Sequence, residues 1–515
     1  MHRIENYQGM KYKLFFFTII GMSQILYGQN PCDLPNTATT VFQPQPLSAS
    51  LSLEMALRSF KAGAKGAGII GGTKGKKPWL YFDWTAFYFR TFNATQQAAA
   101  FLPHSQSSVI IGQDNDSAVS SAWVGIVSPL SNPFKSRISF FPERTTTGGT
   151  MRVLIDFGGL FPDIDTALKD MYTSLYVPIT HVKHNLNLTE EILGGQGMTT
   201  GFRNFREALN NPAYEFGKIP PNEMIATAID DMQWRLGWNF LKSKKFFSSV
   251  YFCVFIPEGI RPSARFLFEP VIGNGGHWAP GFGYSGSYIY WQNPKASSSI
   301  FWEFRWNYII EAIERRTLDL NNGDWSRYLL VADVNNLIFP VPGVNFFTRD
   351  LSVTPSNMID FILSVNYVRD PLTFEVGYDL WWRQTERVTL EVTSQPVAFA
   401  VKTFRPLPGE PITVVIYDIT GCCPKTSLIN ATICQAIPGI GALPSDAQPI
   451  PISNADLNLR SATKSSVIFM KLFGGFTYSG RHYPGVIGIA GSSEFIGPKN
   501  ALLNWGIWLK AGYSF

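Results

Sequence analysis

Charged and polar side chains recur at every second position in several stretches of this sequence. In FWEFRWNYIIEA, Glu303, Arg305, Asn307 and Glu311 alternate with aromatic and aliphatic residues. Further residues of the same kind are Gln233, Arg235 and Asn239 in DMQWRLGWNFL, Glu375, Asp379 and Arg383 in LTFEVGYDLWWRQ, and Lys471 and Lys510 nearer the end. Side chains of both signs on one face could pair with one another, or could set up an electric field across a water-filled space.

A period of two is the period of a β-strand, in which successive side chains point to opposite faces. The stretch MIDFILSVNYVRDPLTFEVGYDLWWRQ contains two such runs joined at Arg369 and Asp370, which predicts a hairpin with one apolar and one polar face. Weaker strand candidates with mixed faces begin at Trp79, Ser121, Met151, Ser174, Phe246, Gly283 and Ser466.

The histidines and cysteines do not form a catalytic or metal-binding pattern. His181 and His184 are an odd number of residues apart, so on a strand they face opposite sides. His277 lies in the glycine-rich GNGGHWAPG, where glycine more simply provides turn geometry. No cysteine spacing resembles a zinc site. We therefore predict no cofactor, no metal site and no enzymatic activity.

The composition favours a membrane protein built from strands. Aromatic residues make up 14% of the chain and charged residues 16%, against ~25% charged in an average soluble protein. After residue 28 no apolar run reaches the ~18 residues of a spanning helix, and the mean hydropathy is +0.02. Since only helices and closed barrels satisfy the backbone inside lipid, a barrel is the remaining membrane fold.

The alternative is a secreted all-β protein such as a sandwich or a lectin-like domain, whose strands also alternate. The aromatic rows, such as Trp234 with Trp238 and Trp302 with Trp306, favour the barrel, because aromatic residues concentrate at membrane interfaces. The net charge of +5, or +3 without residues 1–28, comes with no basic run that would indicate nucleic acid as a partner.

The first residues have the layout of a secretory signal peptide. Lys11 and Lys13 precede an apolar run from Leu14 to Met22, and Gly28 offers a small residue for cleavage. The alternatives are a membrane anchor and a buried helix, but the run is about half the ~20 residues of a spanning helix. We expect a signal peptide at 1–28, and a periplasmic arm or small plug at 29–78.

The last strand, NWGIWLKAGYSF, ends on an aromatic residue. Ile507, Leu509, Ala511, Tyr513 and Phe515 alternate with small or polar residues, and only Trp508 breaks the pattern. This stretch resembles the C-terminal β-signal of Gram-negative outer-membrane proteins, including porins. The resemblance implies a location in the bacterial outer membrane, recognition by the barrel-assembly machinery, and a final strand that closes against the first.

These features predict an all-β, membrane-spanning antiparallel barrel at 79–515 with about 16 strands, range 12–18, at ~10 residues per strand. Long external loops are expected near 189–229, 257–280, 321–357 and 391–464, with a short helix in FRNFREALNN. A barrel of that size leaves an aqueous channel. We expect a porin-like channel for passive diffusion of small solutes, with mild or no ion selectivity.

Two other functions stay open at this point: a partly plugged channel for hydrophobic solutes, and an enzyme at the external rim of the barrel. Homo-oligomerisation is also open, because interface residues resemble lipid-facing ones. In the loop sequence GCCPKTSLINATIC, Cys422 or Cys423 could pair with Cys434 in an oxidising compartment, or all three could be free.

Overall fold

The computed structural model describes residues 79–515 apart from scattered single positions, several short stretches and one long segment, 402–451. The short stretches include 95–97, 104–106, 113–116, 164–166, 196–201, 392–398, 480–484 and 497–501. The predicted signal peptide at 1–28, the arm or plug at 29–78, and Cys422, Cys423 and Cys434 lie outside the described residues.

The main sheet is a closed antiparallel barrel of twelve strands in which every strand pairs with its neighbours in sequence. The strands are β1 Leu80–Thr91, β2 Glu143–Asp156, β3 Met171–Asn185, β4 Met232–Lys242, β5 Phe246–Ile256, β6 Ala279–Gln292, β7 Ser297–Ile309, β8 Ser356–Arg369, β9 Leu372–Arg383, β10 Val467–Ser479, β11 Gly485–Ile496 and β12 Asn504–Ser514. A further strand, Met224–Ile229, pairs with β3 beyond the point where β4 begins.

The barrel is closed by the pairing of its last strand with its first. In the β1–β12 register Phe82 lies opposite Tyr513. At the strand ends the Trp79 amide donates to the Phe515 carbonyl (3.0 Å), and the Phe515 amide donates to the Leu80 carbonyl (2.8 Å). The closed ladder leaves no free strand edge, which is the condition for crossing a bilayer with strands.

Burial alternates along the barrel strands as the sequence period requires. On β7, Glu303 and Arg305 are buried, whereas Trp302, Phe304 and Trp306 are part-exposed. The outward face is strongly apolar around the barrel, with exposed members that include Phe82, Trp84, Leu175, Trp238, Phe252, Phe282, Val365, Val376, Leu472, Ile487 and Leu509. A closed barrel with this apolar outer face is the architecture of an outer-membrane β-barrel.

The connections at the two ends of the barrel differ in length. Short turns at 243–245, 293–296 and 370–371 lie at the same end as both chain termini of the barrel. In one of them the Asn293 side chain accepts hydrogen bonds from the amides of Lys295 (2.8 Å) and Ala296 (2.7 Å), as asparagine commonly does in turns. The connection at 157–170 contains an α-helix, Phe157–Leu160, and a 3₁₀-helix, Ala167–Asp170. We call the opposite end, with the long connections, the external end.

The external connections fold together into one structure, which we call the cap: the described parts of 92–142, 186–231, 257–278, 310–355, 384–466 and 497–503. Its strands are Ser108–Gly112, Val119–Ser120, Lys135–Ser139, Thr189–Gly194, Met224–Ile229, Ala312–Thr317, Asp319–Leu320, Leu330–Asp333, Asn336–Pro342, Thr348–Thr354, Arg387–Leu390, Phe399–Val401 and Leu457–Asn458. Its helices are the α-helices Phe205–Ala208 and Gly343–Phe347 and the 3₁₀-helices Ser121–Val124, Ser326–Tyr328, Asn454–Asp456 and Leu459–Ala462.

A single apolar core joins all six external connections. It contains one or more residues from each connection, among them Trp123, Phe205, Phe268, Trp325, Val388 and Leu502. The Trp325 ring stacks on Phe205 with centroids 5.9 Å apart, and its indole nitrogen donates to the Phe101 carbonyl (2.8 Å). Among the residues that the structure describes, no helix is long and apolar enough to span a membrane.

The fold confirms the predicted all-β barrel, but the central estimate of 16 strands is too high. The count of twelve lies at the lower limit of the expected range, because more of the chain belongs to the cap than was expected. The weak strand candidate at Ser121 begins instead with a 3₁₀-helix whose four residues are all buried, and its Trp123 and Val124 belong to the cap core. The strand β11 was missed, since its glycines and serines weaken the alternation.

Candidate functional site

The barrel interior contains nearly all of the side chains predicted to line a pore. Those on the barrel strands are buried, with exposed fractions of 5% or less: Gln233, Arg235, Asn239, Glu303, Arg305, Asn307, Glu375, Asp379, Arg383, Lys471 and Lys510. Glu311 differs from them, because β7 ends at Ile309 and Glu311 lies exposed in the cap, where it accepts a hydrogen bond from the Thr354 hydroxyl (3.0 Å).

One group of these residues joins β4, β5 and β7. Arg235 donates to Glu303 Oε1 (3.0 Å), and the Tyr251 hydroxyl donates to the same oxygen (2.5 Å). The Arg235 guanidinium also lies over the Tyr251 ring at 4.5 Å and donates through Nε to Gln233 Oε1 (2.9 Å). The charge of Glu303 is therefore balanced at one of its two oxygens.

A second group follows the registers of β7 to β10. Arg305 lies directly opposite Asp360 and donates to it (3.0 Å), and Asp379 lies opposite Lys471 at 3.1 Å. A third group lies on β12, β1 and β2, where Asp83 forms ion pairs with Arg152 and Lys510. The charges that the sequence places on one face are thus distributed as paired groups around the inner wall.

Apolar side chains occupy the interior between these charged groups. Phe87, Phe301, Ile362, Phe473 and Trp508 form one cluster and are each 5% exposed or less. A second cluster contains Phe255, Ala279, Ile309, Met358, Trp381 and Phe469, and the Arg305 guanidinium lies 5.0 Å from the Phe255 ring centre. A twelve-stranded barrel is narrower than the 16-stranded one expected, so side chains from opposite walls can fill it.

At the external end, buried charges connect the barrel to the cap. We call His277, Glu314, Arg316, Arg383, Glu386 and Lys464 the rim network. Arg316 donates to Glu314 (2.8 Å), to Glu386 (2.6 Å) and to the Ala462 carbonyl (2.6 Å). Arg383, at the end of β9, donates to Glu386 (2.7 Å), and Lys464 lies 3.6 Å from the same carboxylate.

The charges of the rim network shift the pKa values of its members. Burial alone would raise the pKa of Glu386, but Arg316, Lys464 and Arg383 outweigh it and lower the pKa to about 2. Burial would also raise the pKa of Glu314, but Arg316 and Lys464 outweigh it, and the pKa lies well below its ordinary value. Burial lowers the pKa of Lys464 to about 8, against the opposing effect of Glu386 and Glu314.

The three described histidines each contact a different partner. His277 Nε2 lies 2.8 Å from Glu314, and the glycines before it at 273, 275 and 276 have positive φ angles of 79°, 76° and 94°. Such angles favour glycine, which agrees with a role in turn geometry. His181 contacts the Thr227 hydroxyl (2.7 Å), and His184 stacks on Phe268 at 4.2 Å. His104 and His482 lie outside the described residues.

The C-terminal residues that suggested an assembly signal form one outward row on β12. Ile507, Leu509, Tyr513 and Phe515 are exposed by 49%, 54%, 42% and 58%, and Ala511 lies in the same row. Trp508, the exception in the sequence pattern, is 1% exposed and packs inside the barrel. Recognition of this row by the barrel-assembly machinery stays a prediction.

Sequence reasoning missed several charged residues of the interior and the rim. Asp360 follows Ile359 in the predicted hairpin, and its even position on β8 could have shown that it shares a face with Ser364 and Asn366. Asp83 and Arg152 lie on strands with weaker alternation. Glu314, Arg316 and Glu386 carry no local signal, because connections distant in sequence bring them together.

No protein-family model and no curated protein matches the sequence. Among solved structures, an outer-membrane channel from Pseudomonas putida F1 is 8% identical with a TM-score of 0.36, covering 86% of this chain and 98% of that chain. The TodX deltaS2S3 mutant monoaromatic hydrocarbon channel is 7% identical with a TM-score of 0.29, covering 85% of this chain and 90% of the other. A Pseudomonas aeruginosa FadL homologue is 10% identical with a TM-score of 0.26, covering 85% of this chain and 90% of the other. Likeness at this level assigns no function to the chain.

Proposed function

We propose that this protein is an outer-membrane channel that rests closed and admits small solutes selectively and passively. The observation that carries the proposal is that the predicted pore-lining residues on the barrel strands are buried and largely paired with one another. Arg235 with Glu303 and Arg305 with Asp360 are examples, and all four are 3% exposed or less. An open diffusion porin would instead keep such side chains in contact with water.

Selectivity for hydrophobic solutes is the second candidate. The cluster of Phe87, Phe301, Ile362, Phe473 and Trp508 supports it, because it offers an apolar surface inside the barrel. The mixed charges of the interior favour mild or no ion selectivity, since each described cation named above lies beside a carboxylate.

Catalysis is not part of the proposal, because the described histidines bond separately to Thr227, to Glu314 and to the carbonyl of Phe268. We also propose that the barrel-assembly machinery recognises the last strand, as the resemblance of the C-terminus implies. Homo-oligomerisation stays an open alternative.

The test is ion conductance in a planar bilayer, together with solute flux into proteoliposomes. We expect little steady conductance with flux of a limited set of solutes. Large, stable open steps would contradict the closed resting state and would favour a general porin. Hydrolysis of lipid or peptide with neither conductance nor flux would favour an enzyme.

A further inference from the structure

The inner wall contains a row of polar side chains that crosses four neighbouring strands. We call Asn239 on β4, Ser249 on β5, Ser285 on β6 and Glu303 on β7 the polar row. The registers place Ser249 opposite Ser285, and Ser285 opposite Glu303. Ser249 donates to the Trp238 carbonyl (3.2 Å), which brings Asn239 beside it. Ser287 lies two residues from Ser285 on the same inner face.

In and beside the polar row, five buried side-chain atoms have no hydrogen-bond partner among the residues that the structure describes. These are both side-chain polar atoms of Asn239, the hydroxyls of Ser285 and neighbouring Ser287, and Glu303 Oε2. The four residues are each 2% exposed or less. Since a buried polar atom without a partner is costly, a cluster of five such atoms on adjoining strands indicates a place for a hydrogen-bonding guest.

The apolar cluster borders the polar row. Phe87, Phe473 and Trp508 lie on β1, β10 and β12, but Phe301 of the same cluster lies on β7, opposite Ser287. On the neighbouring strand β8, the Ser364 hydroxyl accepts a hydrogen bond from Asn366 (3.3 Å). The polar row on the β4–β7 wall therefore lies next to an apolar surface, and the Ser364 hydroxyl, unlike that of Ser285, has a hydrogen-bond partner.

The atoms of the polar row indicate the class of guest. Asn239 Oδ1 and Glu303 Oε2 accept, Asn239 Nδ2 donates, and the serine hydroxyls do both. A hydroxyl group both donates and accepts, so a neutral solute with several hydroxyls can satisfy the whole set. Glu303 Oε2 would repel an anion, whereas a cation would compete with Arg235, which already neutralises the carboxylate.

We infer that the polar row is the binding subsite for a neutral, polyhydroxylated solute on the permeation path of the barrel. The inference rests on the proposed channel function and names the solute class for it. Because the polar row is at most 2% exposed, the solute reaches it when the interior opens. This agrees with a channel that rests closed.

The experiment measures flux of ribitol and of the zwitterion betaine into proteoliposomes. The variants Asn239→Leu and Ser285→Ala remove polar-row atoms, and Ser364→Ala is the matched control on β8, outside the polar row, where the hydroxyl already has a partner. We expect ribitol flux to fall about tenfold in Asn239→Leu, because the solute loses two hydrogen bonds there. It should fall about threefold in Ser285→Ala, where the solute loses one. Betaine flux should not change, and Ser364→Ala should match the wild type for both solutes.

Equal losses for ribitol and betaine, or a loss in Ser364→Ala as large as in Ser285→Ala, would overturn the inference. A second readout does not depend on transport: the temperature at which the folded band disappears on an unboiled gel. Ribitol should raise this temperature more in the wild type than in Asn239→Leu, whereas betaine should raise both equally. If the wild type passes other solutes but neither ribitol nor betaine, the gel temperatures alone decide whether the polar row binds ribitol. If it passes no solute at all, the channel proposal fails.

Discussion

Replacing Glu386 by glutamine tests whether the rim network fastens the cap to the barrel. This carboxylate contacts Arg316, Arg383 and Lys464, and it accepts the backbone amide of Lys464 (3.1 Å). Its side chain is fully buried at 0% exposure. Glutamine has nearly the same shape but no charge, so the three cations would lose their central counter-charge while packing is largely retained.

The magnitude follows from the pKa of Glu386, which lies at about 2 rather than the ordinary 4.5. A shift of this size corresponds to ~3 kcal/mol, and breaking buried ion pairs generally costs ~3–5 kcal/mol. Because the folded pKa is lower than the unfolded one, the stabilisation is present above about pH 4.5 and is lost as the pH falls towards 2.

The assay is limited proteolysis of the cap, under conditions where opening and closing are fast relative to cleavage. At pH 7 the Glu386→Gln variant should be cleaved about a hundredfold faster than the wild type, which is the rate equivalent of ~3 kcal/mol. The matched control is Asp350→Asn, which removes the ion pair with Arg315 (2.8 Å), whose side chains are 50% and 49% exposed. An exposed ion pair contributes under ~1 kcal/mol, so the rate of cap cleavage in Asp350→Asn should differ from the wild-type rate by less than about fivefold.

Equal cleavage rates for Glu386→Gln and Asp350→Asn at pH 7 would refute this reasoning. The pH dependence gives a second check, for which an acid-active protease is needed. The difference between the wild type and Glu386→Gln should shrink as the pH falls from about 4.5 towards 2, because the wild-type carboxyl then becomes neutral as well.

Three further predictions concern the barrel wall. Gly283→Ala should lower the free energy of unfolding in urea by ~1–3 kcal/mol, because a Cβ there would lie 2.1 Å from the Tyr251 ring. In Gly485→Ala the nearest atom to the new Cβ would be 3.6 Å away, so the free energy of unfolding should change much less. Equal losses of unfolding free energy in the two variants would contradict the packing described. Val376→Arg, on the outward face at 66% exposure, should cost ~2–4 kcal/mol in lipid vesicles. Ile192→Arg in the cap should cost under ~0.5 kcal/mol, and a similar cost for both would argue against lipid at Val376. Deleting residues 504–515 should abolish the heat-modifiable folded band, because β1 and β11 both lose their partner, and a persistent band would contradict closure by β12.

The sequence alone was sufficient to predict the class of fold and the inward face of the strongest strands. Alternation along FWEFRWNYIIEA correctly separates buried Glu303 and Arg305 from the outward tryptophans, because the strand period is a local property. The partner of each charged residue depends on the register between strands. The ion pair of Arg305 with Asp360 could therefore not be predicted from the sequence of either strand alone. The cap was missed for the same reason, since Trp325 meets Phe101 and Phe205 across long separations in sequence.

The packed interior is the other feature that the sequence did not predict. Inward polar residues have the same pattern in a wide, hydrated barrel and in a narrow, filled one, and strand number decides between them. The strand number in turn depends on how much of the chain belongs to the cap, which alternation does not show.

The central claim is that the outward rows of the barrel contact acyl chains while the inward residues are packed away from them. Site-directed spin labelling at Val376→Cys in a cysteine-free background, in lipid vesicles, tests it most directly. Val376 is 66% exposed on the outer face, so collisions of the label with oxygen, which partitions into lipid, should greatly exceed those with a water-soluble nickel chelate. A label reached more readily by the nickel chelate than by oxygen would contradict the claim.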